Sequence, residues 1–123
     1  MQQHLRFMRI RAKLIETAKT GQLITYGEFV NNSSYKVVRG QGQPWQIGTV
    51  LGDICTFEHN QGRPLLSAIC VLKKRGKPDM PSSGFWELDF LPDSVKKGTY
   101  EQQRRFWECK RDEVFDYWQK HKL

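Results

Sequence analysis

The 123-residue sequence predicts one α+β domain spanning 1–123: three N-terminal helices, a two-stranded antiparallel hairpin and a long C-terminal helix. Three observations carry that prediction. Apolar residues recur at helical spacing near both ends, a continuous apolar run of branched residues lies at 65–72, and a cluster of cations with glycine and proline follows that run. A chain this long, 38% hydrophobic and 12% aromatic, buries a core without disulfides or metals.

The first helix is expected over 3–20. Phe7, Met8, Ile10, Leu14, Ile15 and Ala18 share one broad face, and Arg6, Arg9 and Lys13 recur at i, i+3 and i+7 on another. Gly21 stands where a helix C-cap belongs. Thr25 and Glu28 have capping-box spacing and open a short second helix. Asn31-Asn32-Ser33-Ser34 stops it by competing for backbone hydrogen bonds, and Lys36 and Arg39 lie in the connection that follows.

Pro44 suits the first turn of a third helix, continued by Ile47, Val50, Leu51, Ile54 and Phe57 and finished by Gly62. Gly48 and Gly52 predict close approach of another backbone to that helix, since internal glycines each cost about 1 kcal/mol relative to alanine. The run 65–72 reads as a buried strand whose antiparallel partner is 84–88, with a basic loop between them. A last helix over about 100–120, capped by Thr99 and Gln102, carries Phe106, Trp107, Val114, Phe115 and Trp118.

Charge is concentrated locally. Residues 1–20 hold five Lys/Arg and one acid, giving +4; residues 63–78 hold five and none, giving +5; residues 79–93 hold four acids and no base, giving −4. Local cationic excess within a net +7 is what a polyanion-binding surface requires. An apolar run long enough to span a membrane is missing, as is a secretion signal, so a cytoplasmic protein without membrane contact is expected. Cys55, Cys70 and Cys109 are odd in number and sit in apolar or amphipathic stretches, which predicts buried thiols.

Three helices followed by a hairpin with a basic tip is the order of a winged helix. Gly21-Gln22-Leu23-Ile24-Thr25-Tyr26-Gly27-Glu28, then Ile47-Gly48-Thr49-Val50-Leu51, resembles the DNA-binding domain of the alkylguanine-DNA alkyltransferase and alkyltransferase-like family. By that resemblance Tyr26 matches the tyrosine that helps rotate a base out of the duplex, and the third helix enters the minor groove. Pro64 matches the family's active-segment proline. Leu65 and Leu66 then replace its reactive cysteine and histidine, and Trp45 its intercalating arginine. A binding role without alkyl transfer is what the resemblance implies.

The sequence therefore points to a non-enzymatic nucleic-acid-binding protein, double-stranded DNA favoured. The expected contacts are Arg6, Arg9, Lys13, Tyr26, Lys36, Arg39, Gln46, Thr49, Lys73, Lys74, Arg75 and Lys77. A second reading is a protein-interaction module, adaptor or inhibitor, using the basic hairpin or the aromatic last helix, with Trp107, Phe115 and Trp118 as anchors to a partner or a second copy. A third is a small hydrolase or nuclease centred on Glu58 and His59. Against that stands a structural pairing of Glu58 with Arg63, and one histidine with one or two acids is too small a set for a metal, so no metal or cofactor is expected.

Overall fold

The computed structural model describes residues 2–37 and 46–121. Its elements are α1 (Gln2–Lys19), β1 (Ile24–Thr25), α2 (Tyr26–Val30), α3 (Ile47–Asn60), a 3-10 turn (Leu66–Ile69), β2 (Cys70–Val71), β3 (Lys73–Lys74), β4 (Lys77–Pro78), α4 (Ser83–Trp86), α5 (Asp93–Lys96) and α6 (Tyr100–Lys120). The fold is α+β and winged-helix-like: three N-terminal helices, a small antiparallel hairpin and a long C-terminal helix. No helix among the described residues is long and apolar enough to cross a membrane.

α1 buries Ile10, Leu14, Ile15 and Ala18, while Met8, expected on the same face, is exposed. Gly21 ends the helix at φ +71°, its amide bonded to the Ala18 carbonyl at 3.0 Å; only glycine adopts that conformation without cost. Thr25 is the N-cap of α2, but its hydroxyl makes no capping bond, so the expected box with Glu28 does not form. β1 enters that helix directly from its pairing with β2, which fixes the backbone without side-chain help. After α2, the Asn32 side chain accepts from the amide and hydroxyl of Ser34 at 3.0 and 2.7 Å, the local competition that ends the helix.

α3 places Ile47, Val50, Leu51, Ile54 and Cys55 in the core. The expected start at Pro44 lies outside the described residues. Phe57 is half-exposed, lying beneath the guanidinium groups of Arg11 and Arg63 at 5.4 and 5.3 Å. No backbone approaches the helix glycines: a Cβ at Gly48 would meet nothing within 4 Å, and one at Gly52 only the Leu88 side chain at 3.9 Å.

The expected strand over 65–72 is a strand only at its end. Leu66–Ile69 form the 3-10 turn, all four residues buried, and Cys70–Val71 then pair in parallel with Ile24–Thr25, in the register Ile24 with Cys70 and Thr25 with Val71. An apolar run buried on every side has no periodicity that separates strand from helical turn. The hairpin also differs from expectation. Lys73–Lys74 pair with Lys77–Pro78 across Arg75-Gly76, and 84–88 belongs instead to α4 and the turn after it. The cations taken as the tip of a long loop are themselves the strands, extended by hydrogen bonds from Leu72 to Met80 and from Asp79 to Leu72.

α6 crosses α1 and the 3-10 turn. Its capping box is complete, with Thr99 accepting from the Gln102 amide and the Gln102 side chain accepting from the Thr99 amide. Trp107 and Trp118 are 3% and 2% exposed, and the Trp107 indole donates to the Ala68 carbonyl at 2.8 Å. Cys55 and Cys70 are buried, but Cys109 is exposed; two residues beyond Trp107, it falls on the opposite face of α6.

Candidate nucleic-acid interface

A groove of about 790 Å³ opens where the start of α2, the start of α3 and the β2–β3 segment meet. Tyr26, Gln46, Gly48, Leu72 and Lys73 are among its walls. Parallel pairing of β1 with β2 brings Tyr26 and Lys73, distant in sequence, to one opening. The Tyr26 hydroxyl accepts the Ser82 amide hydrogen at 2.8 Å, and burial pushes its pKa up to about 12. Tyr26 therefore holds the chain leaving the hairpin rather than offering a free phenol to a ligand.

Over this groove stands the hairpin. Lys73, Lys74, Arg75 and Lys77 are all exposed, and among the described residues none of the four forms an ion pair. Arg75 and Gly76 both have positive φ, +53° and +78°, as a two-residue type I′ turn requires at its two central positions. The floor carries one acid, Glu28, against Lys73, so the cationic density lies on the hairpin and not in the groove itself. The exposed face of α3 adds Gly48, Thr49, Asp53 and Thr56, and no cation.

The α1 cations gather elsewhere. Arg6, Arg9, Ser34 and Lys36 line a separate recess of about 70 Å³, and Arg9 donates to the Ser34 carbonyl at 2.9 Å. Lys36 is exposed at φ +52°. Lys13 lies 3.5 Å from Glu16. Arg6 departs from the expected wet face: it is 9% exposed, because it precedes Ile10, Leu14 and Ala18 at four-residue intervals and so shares their buried stripe.

The expected contacts thus divide. Tyr26, Gln46 and Lys73 line the groove, with Thr49 exposed on α3 beside it and Lys74, Arg75 and Lys77 on the hairpin above; Arg6, Arg9 and Lys36 line the recess; no residue lines both. Arg39 lies outside the described residues. Leu72 and Ser82 were missed: Leu72 was hidden at the end of the apolar run, and Ser82 contributes a backbone amide that no sequence signal marks.

Glu58 and His59 make no acid/base pair. The Glu58 side chain is 0% exposed, and both oxygens accept from guanidinium groups, with Arg11 Nε at 2.8 Å and Arg63 Nε at 2.7 Å. Burial alone would raise its pKa, but the hydrogen bonds from Arg63 and Arg11 outweigh burial and hold the carboxyl below the usual glutamate value. His59 is exposed and stacks on Phe90 at 4.0 Å. Among the described residues no three His, Cys, Asp or Glu side chains converge as a metal site would need. On α6, Trp107 and Trp118 are spent on the core, and Phe115 is half-buried against it.

Compared with protein-family models, with curated proteins and with solved structures, the chain matches none.

Proposed function

We propose that this is a non-enzymatic, cytoplasmic protein that binds double-stranded DNA, with α3 facing a groove of the duplex and the basic hairpin against the backbone. One observation carries the reading: four exposed cations without acidic partners stand on a two-stranded projection beside an open groove and the N-terminal end of α3. Each lysine or arginine set against a phosphate releases counterions, which is the main source of affinity for a polyanion. Arg9 and Lys36, held together through Ser34, supply a second backbone contact.

Duplex is favoured over single strand by what the groove lacks. Single-strand sites stack bases on exposed aromatic rings. Of the large exposed apolar side chains, Leu5, Met8, Phe57, Leu72 and Tyr100, only Leu72 lines the groove. The likeness to the alkyltransferase-like family fits binding without chemistry, since Leu65 and Leu66, at the positions of its cysteine and histidine, are both buried.

Replacing Lys73, Lys74, Arg75 and Lys77 together by alanine tests the proposal. These side chains are outside the core, so the fold should survive, as circular dichroism would confirm. Affinity for a duplex should fall, and the slope of log K against log salt should flatten by up to about 3.6, or roughly 0.9 per phosphate released. Unchanged affinity and slope would remove the hairpin from the interface.

A further inference from the structure

We infer that Arg75 enters the minor groove of the bound duplex and prefers A·T-rich sequence there, while the flanking lysines hold the phosphates on either side; this rests on the DNA-binding reading above.

The argument begins with backbone conformation. Lys74 and Lys77 are paired, leaving Arg75 and Gly76 as the whole connection, and both have positive φ. Glycine, asparagine and aspartate populate such positions readily; a long side chain with a Cβ does so at a cost. Gly76 meets the requirement in the ordinary way. Arg75, at φ +53°, does not, and strain held by a charged residue at the apex of a projection is a mark of a ligand contact.

The residue type narrows the ligand. Among the four hairpin cations the apex alone is arginine; the others are lysine. Lysine serves as a point charge for phosphate, whereas the guanidinium is flat and more weakly hydrated, so it enters a confined space with less desolvation. The minor groove of A·T-rich DNA is narrow, carries enhanced negative potential and attracts arginine for that reason. A two-stranded ribbon with a two-residue tip is slim enough to deliver one side chain there, and no acid on the ribbon pairs with it.

Three duplexes of equal length test this: one with an A·T tract, one with the tract replaced by G·C, and one with it replaced by inosine·cytosine, which removes the guanine amino group from the minor groove while keeping a G·C-like major groove. The protein should bind the A·T and inosine duplexes about fivefold or more tightly than the G·C duplex. Arg75→Lys should keep the salt dependence and lose that preference. Arg75→Asn, which suits a positive φ, should keep the hairpin and lose it equally, so a misfolded turn cannot account for the loss. Equal binding of all three duplexes by the unaltered protein, or a preference that survives Arg75→Lys, overturns the inference and leaves DNA binding standing. Failure to bind any of the three overturns both.

Discussion

The hydroxyl of Tyr26, at the start of α2, accepts the amide hydrogen of Ser82, just beyond the hairpin, at 2.8 Å. This bond closes a loop of 56 residues and ties the segment leaving the hairpin to the helix that borders the groove. Tyr26→Phe leaves the Ser82 amide without its acceptor and should cost about 1–3 kcal/mol in denaturant unfolding. The raised phenol also sets a pH dependence. Folded Tyr26 holds its proton up to about 12 and the unfolded side chain only to about 10, so its contribution is complete below pH 10 and is lost as pH rises towards 12. Tyr26→Phe should flatten the alkaline fall in stability; an unchanged profile would mean that the bond does not govern it.

Glu58 should dominate the acid side. Its folded pKa lies below the ordinary value, so its contribution is present above about pH 4.3 and is lost as pH falls through the folded value. Glu58→Gln should remove that acid dependence and destabilise the fold by about 3 kcal/mol, because Arg11 and Arg63 lose the charge they surround. Urea titrations at neutral and acidic pH measure both. Equal stability of the two proteins at neutral pH would contradict the clamp.

Thiol reactivity separates the three cysteines. Cys55 and Cys70 are buried and their pKa values raised by burial, that of Cys55 to about 11, with its sulfur 2.7 Å from the Ser67 hydroxyl. Only Cys109 is exposed. A disulfide reagent should consume one thiol per native chain quickly and all three after unfolding. Rapid loss of a second would place Cys55 or Cys70 nearer solvent.

The two threonine caps should respond differently to alanine. Thr99 accepts the Gln102 amide at 3.2 Å, and Thr99→Ala should cost about 1 kcal/mol. Thr25 makes no such bond, so Thr25→Ala should be near neutral. Equal costs, read from denaturant midpoints, would show that the Thr25 hydroxyl caps α2 after all.

What could be read from residues alone follows the range of the forces involved. α1 and α6 were legible because amphipathic periodicity and caps are local, as was the pairing of Glu58 with Arg63 across the helix end. The segment after Pro64 was not. Its parallel pairing with Ile24–Thr25 is a long-range choice, and Leu66–Ile69 are apolar whether coiled or extended. The tight hairpin hid behind residue preference, since lysines and a proline seldom announce strands and Arg75 is an unusual residue for a positive φ. For the interface, the hairpin cations and Gln46 were found by charge and exposure. Arg6 was misplaced because three cations at helical spacing look like a wet face until the stripe through Ile10 and Leu14 is followed back to them.

The most direct measurement is the affinity of the protein for a duplex and for one of its strands, each at low and at physiological salt. Tighter binding to the duplex, weakening steeply as salt rises, is the result this account predicts. Affinity that is absent, indifferent to salt or greater for the single strand would contradict it.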